Sequence, residues 1–176
     1  MEFQILDWLQ TLRTPALDAA MTFVSTLGNA GIVWIALTAA LLLWRRTRRT
    51  GLAAALALLL DLLLCNILLK NLVARTRPFD INTAIELLIE KPGDFSFPSG
   101  HTAAAFAFTA ALYFAGARGL GAAALALSVL MAFSRLYLYV HFPTDILGGA
   151  ALGVLCGFLG ARLARRFWRR DGLRSH

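Results

Sequence analysis

Charged residues are scarce in this chain of 176 residues: they make up 15% of it, whereas 59% of the residues are hydrophobic. Soluble globular domains carry about 25% charged residues. The composition therefore argues against an ordinary soluble enzyme and excludes a disordered chain. Prolines number only five, and low-complexity runs are lacking, which argues against a fibrous or linker protein. The only two cysteines, Cys65 and Cys156, lie in apolar stretches, so we interpret them as buried free thiols.

Long apolar segments are abundant. A helix needs roughly 20 apolar residues to cross the hydrocarbon core, and backbone groups that face lipid must bond within a helix. The sequence predicts an all-α integral membrane helical bundle with five or six transmembrane helices. The predicted spans are 31–44 with part of the preceding stretch, 51–73, 101–117, 119–137 and 146–163.

The first 27 residues are ambiguous. Residues 2–12 carry Phe3, Leu6 and Leu9 on one face, which predicts an N-terminal helix lying at the membrane interface. Residues 16–27 form a half-span, a sixth crossing or the tilted start of the first span. A signal peptide does not fit, because no basic start and no small-residue cleavage site are present. We treat 1–176 as one domain in which 74–100 is an extracytoplasmic loop.

Arginine clusters predict the orientation. Alternating crossings place eleven arginines on one side, which the positive-inside rule assigns to the cytoplasm together with the C-terminus. The net charge of +7 thus reflects topology, and no nucleic-acid partner is expected. These arginines are Arg45, Arg46, Arg48, Arg49, Arg118, Arg162, Arg165, Arg166, Arg169, Arg170 and Arg174.

Groups of polar residues stand at the outer ends of the predicted spans. Lys70 and Arg77 are seven residues apart, so both cations would lie on one helix face. Pro78 is expected to end this helix. Snorkelling at a span end explains either cation taken alone. Ser99 is a natural N-cap for the next span, and Gly100 permits close backbone approach. The exposed amides of that helix end favour an anion.

Histidines accompany these groups. His101 follows Gly100 in the first helical turn, and Arg135 ends a later span. His141 and Asp145 are four residues apart, so the carboxylate can orient one imidazole nitrogen. The topology brings both histidines and three cations to one level. Fixed cations balance the charge of a phosphoryl group, one imidazole can attack phosphorus, and the other can protonate the leaving oxygen. These residues predict phosphoryl transfer.

The same groups resemble the motif set of the type 2 phosphatidic acid phosphatase superfamily of integral membrane lipid phosphatases. That pattern is a lysine separated by six residues from Arg-Pro, then Pro-Ser-Gly-His, then Ser-Arg, five residues, His, three residues and Asp. The chain matches it without departure over residues 70–145. The matching residues are Lys70, Arg77, Pro78, Pro98, Ser99, Gly100, His101, Ser134, Arg135, His141 and Asp145.

The resemblance implies a role for each site residue. His141 would be the nucleophile that forms a phosphohistidine, Asp145 would activate it, and His101 would be the general acid. Neither a metal nor a cofactor is implied. The implied phosphate-binding residues are Lys70, Arg77, Ser99, Gly100 and Arg135.

The resemblance also implies a lipid phosphate as substrate and a site on the extracytoplasmic side of the cell membrane. Undecaprenyl diphosphate is the first expectation, followed by phosphatidylglycerol phosphate and phosphatidic acid. A non-enzymatic membrane protein that binds or translocates anionic lipids is the alternative. It needs the same cations but has no need of two histidines with an orienting aspartate. A haloperoxidase-like use of the site is disfavoured by the membrane spans.

Other features have structural interpretations. Asp61 lies inside the second long span, about two and a half turns from Lys70, which favours a structural hydrogen bond. Glu86 and Glu90 lie among apolar residues, so we expect a short interfacial helix over 84–90. We prefer this helix to a metal cluster of the four acidic residues in this region, Asp80, Glu86, Glu90 and Asp94. A small-residue stripe predicts close helix packing within the chain or between two copies. The stripe consists of Gly149, Gly153 and Gly157.

Overall fold

The computed structural model describes the backbone of residues 1–172 and the side chains of residues 1–167. Within that backbone range all of the regular secondary structure is helical, and there are no strands. A 3₁₀ turn, Asn29–Gly31, and a π-helix, Leu62–Leu69, separate some of the α-helices. The α-helices are α1 Glu2–Gln10, α2 Pro15–Leu27, α3 Ile32–Leu43, α4 Arg48–Asp61, α5 Lys70–Val73, α6 Pro78–Ile81, α7 Gly100–Phe114, α8 Arg118–Tyr137 and α9 Pro143–Gly172. Of the predicted cytoplasmic arginines, the side chains of Arg169, Arg170 and Arg174 lie outside the described residues.

Several helices are suited to a bilayer. The segments Arg48–Ile81, Arg118–Tyr137 and Pro143–Phe167 are long and apolar enough to cross it. The pair Pro15–Leu27 and Asn29–Leu43 also qualifies when taken together, although it is bent by 48°. Helix α7 has 15 residues, fewer than the predicted segment and fewer than the roughly 20 of an average span. The chain is a multi-pass membrane protein.

Helix α7 lies at the centre of the bundle, where it packs against α4, α8 and α9. Four of its alanines, among them Ala103 and Ala107, are fully buried. The glycine stripe of α9 faces them, because a Cβ on Gly153 would stand 2.4 Å from the backbone oxygen of Ala103. Gly149 and Gly157 meet α7 in the same way. Small residues on both helices let the backbones approach, so the stripe packs within the chain.

The second long span departs from the continuous helix that the sequence predicts. After the π-helix, α5 ends at Ala74, which adopts a left-handed φ of 46°. Arg77 is extended immediately before Pro78. Lys70 and Arg77 therefore do not share a helix face, and the prediction from helical periodicity is wrong on this point.

The long loop between α6 and α7 has no helix at residues 84–90, so the expected interfacial helix is wrong. The physical reason is burial. Leu87, Leu88 and Ile89 are consecutive, and all three pack against a core cluster that contains Tyr137 and Tyr139. One face of an amphipathic helix cannot bury three consecutive residues, whereas an irregular chain can.

Candidate active site

Two buried cations converge from either side of the bend at Ala74. The side chains of Lys70 and Arg77 are 6% and 3% exposed. Nζ of Lys70 and Nη2 of Arg77 both donate to the carboxylate of Asp94, the latter over 2.5 Å. Nε of Arg77 also donates to the backbone oxygen of Asp94 over 2.7 Å. The bend, rather than helical periodicity, brings the two cations together.

Asp94 is a site residue that the sequence indicated only as one of four acidic residues in and near the long loop. Its position in an irregular loop follows no period that would relate it to the cations 17 and 24 residues earlier. Burial raises the pKa of Asp94, but hydrogen bonds and charge from Lys70 and Arg77 outweigh burial and lower it to about 2. The carboxylate is therefore ionised at neutral pH, and its side chain remains 52% exposed.

Arg135 supplies a third cation from the last turn of α8. It is 2% exposed, and its Nη1 donates to the hydroxyl of Ser25 on α2. Its Nε has no hydrogen-bond partner in the part of the chain that the structure describes. An unsatisfied buried donor costs free energy, so an anion in front of Arg135 would be stabilised.

His141 lies in the connection between α8 and α9 and is almost fully buried. Its Nδ1 is 3.6 Å from Oδ2 of Asp145, and its Nε2 is 3.3 Å from Nη1 of Arg77. Burial lowers the pKa of His141, the contact with Asp145 raises it, and the charges of Arg77 and Arg135 lower it again, to about 3. The ring is neutral at pH 7. A hydrogen on Nδ1, facing Asp145, leaves the lone pair on Nε2.

Asp145 gathers donors from distant parts of the chain. Its Oδ2 accepts from the hydroxyl of Ser96 over 2.5 Å and from the amide of Phe142 over 2.8 Å. Its Oδ1 accepts from Arg75 over 2.7 Å, and Arg75 also pairs with Glu2 of α1 over 2.6 Å. Sequence reasoning gave Arg75, Ser96 and Glu2 no role at the site. Their partners lie 49 to 73 positions away, and no motif links them.

The second histidine, His101, stands in the first turn of α7. Its Nε2 is 3.1 Å from Oδ1 of Asn29, and an amide oxygen only accepts, so this nitrogen carries the hydrogen. A Cβ on Gly28 would stand 2.6 Å from the ring of His101. The bend between α2 and α3 therefore holds the imidazole in place. The sequence predicted a helix break here but not its contact with His101.

Ser99 occupies the N-cap of α7, as predicted, but its hydroxyl makes no capping hydrogen bond. It accepts from Thr102 over 3.1 Å instead, and the amide of Ser99 donates to the backbone oxygen of Asp145. At the next residue, Gly100, a Cβ would stand 2.8 Å from Oδ1 of Asn66. A glycine here lets the side chain of Asn66 pack closely against the start of α7.

These side chains border a cavity of about 470 Å³. Part of its wall comes from the long loop at Leu88, Ile89 and Glu90. Ser99 and Asp145 are not among its lining residues. The other six predicted site residues line it, namely Lys70, Arg77, Gly100, His101, Arg135 and His141.

A more apolar groove of about 600 Å³ adjoins the cavity and shares Lys70 and His101 with it. Asp61 is part of its lining and is 2% exposed. Oδ1 of Asp61 has no hydrogen-bond partner among the described side chains, so the predicted structural hydrogen bond does not form at that atom. The apolar lining comes from α3, α4, the π-helix and α7, at Ile35, Leu58, Leu59, Leu62 and Ala104.

The arrangement suits an anion with several acceptor oxygens. Three cations and the amides at the start of α7 can each bind one of its oxygens. A neutral imidazole and a second imidazole border the same space, which is the equipment for attack on phosphorus and for proton transfer.

Comparisons with known proteins agree on one family. The model of the PAP2 superfamily matches residues 50–169. An undecaprenyl-diphosphatase of Sulfolobus acidocaldarius is 32% identical over 161 residues, 92% of this chain and 76% of that protein. The crystal structure of Aquifex aeolicus LpxE superposes with a TM-score of 0.79 at 30% identity, covering 92% of this chain and 94% of that one. A transmembrane PAP2 type phosphatidylglycerolphosphate phosphatase from Bacillus subtilis superposes with a TM-score of 0.74 at 30% identity, covering 93% and 84%.

Proposed function

The chain belongs to the PAP2 superfamily, and from this we propose that it is a membrane lipid phosphatase working through a phosphohistidine. The observation that carries the proposal is the cavity in which three cations and two imidazoles meet beside an apolar groove. The cations bind the phosphate, and the groove takes the lipid tail. A soluble phosphate ester would not need such a groove.

The first step is attack by His141. Lys70, Arg77 and Arg135 hold the phosphoryl oxygens, so the negative charge of the group does not repel the nucleophile. The lone pair of Nε2 forms the nitrogen–phosphorus bond while the bond from phosphorus to the leaving oxygen breaks. Asp145 stabilises the positive charge that develops on the ring. His101, in its protonated form, gives a proton to the leaving oxygen.

The second step releases phosphate. A water attacks phosphorus, and its proton passes to His101, which is then neutral and able to accept it. The nitrogen–phosphorus bond breaks, its electron pair returns to Nε2 of His141, and inorganic phosphate leaves. The three cations supply the positive charge throughout, so we propose a mechanism without a metal.

The membrane arrangement follows from the bends and charges. We propose five spans, with α2 and α3 as one bent span, α4 to α5 as the second, and α7, α8 and α9 as the others. Helix α1 lies at the interface, since Ile5 and Trp8 are exposed while Leu6 and Leu9 are buried. The arginine clusters and the C-terminus then face the cytoplasm. The site and the loop 74–100 face outward, in a single domain of residues 1–176.

Undecaprenyl diphosphate is the substrate that we propose first, supported by the similarity to the undecaprenyl-diphosphatase of Sulfolobus acidocaldarius. Phosphatidylglycerol phosphate and phosphatidic acid follow. The test is phosphate release by the purified protein in detergent from all three lipids, with a chelator present. We expect phosphate release from at least one of the lipids, at the same rate with the chelator as without it. Loss of activity with the chelator would contradict the metal-free mechanism, and binding without release would favour an anionic-lipid carrier.

The groove makes a separate prediction. In Leu62→Trp, the indole occupies part of the groove without burying a new group in the core, because Leu62 is 49% exposed. Displacing two methylene groups of a lipid tail costs about tenfold in kcat/KM, since each contributes about 0.8 kcal/mol. We expect that loss with the lipid substrate and no loss with p-nitrophenyl phosphate, measured by phosphate release.

Leu63→Trp is the matched control, because Leu63 is 46% exposed on the same π-helix and does not line the groove. It should retain the activity of the unsubstituted protein with both substrates. Equal losses in the two variants would mean that the groove does not hold the tail.

A further inference from the structure

The contact between Asp94 and the two cations has a consequence for how phosphate binds. In the structure, Nζ of Lys70 and Nη2 of Arg77, which line the cavity, both donate to this carboxylate. A carboxylate and a phosphate compete for the same donors, because both are anions with oxygens at hydrogen-bonding distance. Two anions packed against each other also repel. A phosphate therefore cannot take these donors while Asp94 holds them.

The surroundings of Asp94 allow its carboxylate to rotate away from the two cations. Its side chain is 52% exposed, so a rotated carboxylate would be solvated by water. It sits in the irregular part of the loop, where a side chain can turn without moving a helix. The backbone oxygen of Asp94 separately accepts from Nε of Arg77, which keeps the loop attached when the carboxylate leaves. Arg135, by contrast, does not contact Asp94 and retains an unsatisfied Nε within the described structure.

We propose that Asp94 is an internal competitor for the phosphate-binding cations, displaced by a lipid phosphate and restored when inorganic phosphate departs. The inference rests on the proposed function. Displacement weakens the binding of every phosphate by the same factor. A lipid offsets this cost by burying its tail in the groove, whereas inorganic phosphate has no tail. Asp94 thus keeps the product from occupying the site.

Asp94→Asn tests the proposal, because it removes the charge and keeps the shape and the backbone contact. We expect inorganic phosphate to inhibit this variant at about a tenfold lower concentration, the ratio for a site that is open one-tenth of the time. Equilibrium dialysis with labelled inorganic phosphate should give the same tenfold tightening. Asp94→Glu, which keeps the negative charge, should bind inorganic phosphate more weakly than Asp94→Asn.

Asp80→Asn is the control, since it removes the same charge from the exposed Asp80 of α6, away from the cavity. It should leave phosphate binding unchanged. If both variants bound inorganic phosphate equally more tightly, the effect would come from net charge alone, and the proposal would be overturned. An unchanged or weaker phosphate affinity in Asp94→Asn would also overturn it, and would mean that Asp94 only orders the loop or takes part in the chemistry. Asp94→Ser removes the charge independently and decides the matter if Asp94→Asn does not fold.

The same measurements distinguish failure of the proposed function from failure of the proposed competition by Asp94. Dialysis reports on phosphate binding without turnover, so the competition by Asp94 is tested even if no lipid is hydrolysed. If the protein releases phosphate from lipids but Asp94→Asn does not change phosphate binding, the proposed function stands and the competition by Asp94 is contradicted.

Discussion

Replacing His141 by asparagine is expected to lower phosphate release from a lipid phosphate by at least about 10³-fold, the scale seen when a covalent nucleophile is removed. The amide nitrogen of asparagine can still face Asp145, so the fold is preserved, but no atom replaces Nε2. Nε2 is the nitrogen near Arg77 and the cavity, and no attack on phosphorus occurs without it.

The measurement has two parts. Phosphate release is compared with that of the unsubstituted protein at matched thermal stability. Acid-labile, alkali-stable label is then sought on protein quenched during turnover of a ³²P-substrate, because a nitrogen–phosphorus bond has this signature. The label should be absent from His141→Asn. A variant that keeps more than about a tenth of the activity would contradict nucleophilic attack by His141.

Replacing His101 by glutamine is expected to produce a loss that depends on the leaving group. Glutamine can keep the hydrogen bond to Asn29 but cannot carry the transferred proton. A lipid alkoxide needs that proton, so release from phosphatidic acid should fall by about 10² to 10⁴-fold. The p-nitrophenolate ion leaves without protonation, so formation of the phosphohistidine from p-nitrophenyl phosphate should fall by less than about tenfold.

The second step supplies a further readout for His101→Gln. Water attack on the phosphohistidine needs His101 as a base, so the intermediate should accumulate with p-nitrophenyl phosphate. A burst of p-nitrophenolate followed by slow turnover, with label on His141, is the expected result. Equal losses with both substrates and no burst would assign His101 a binding role instead.

A pattern in the sequence predicts contacts only where it repeats along an element. The apolar segments predict a helical membrane bundle, and the glycines of α9 predict close helix packing, for which the structure identifies α7 as the partner. Lys70 and Arg77 show the limit, because the argument for a shared face assumed an unbroken helix. The left-handed Ala74 and the extended Arg77 replace that helix. The side chains still meet, through a bend that the periodicity does not predict.

The residues without a predicted role at the site all act through long-range contacts. Asp94, Ser96 and Arg75 come from irregular segments, where neither a helical nor a strand period restricts the position of a side chain. Their contacts form only when the loop folds over the cavity. Asn29 is similar, because a break between α2 and α3 is readable from the sequence, whereas its contact with His101 depends on the angle of the bend. The roles of the motif residues stay predictions until the variants are measured.

The carboxylate of Asp145 lies in the first turn of α9, after all the other residues of the site in chain order. Until α9 has entered the bilayer and packed its glycines on α7, Ser96 lacks this acceptor, Arg75 lacks one of its two carboxylate partners, and His141 lacks the carboxylate next to its ring. A nascent chain that has not yet inserted α9 therefore lacks part of the proposed site. On the proposed mechanism, phosphatase activity begins only when α9 has packed against α7.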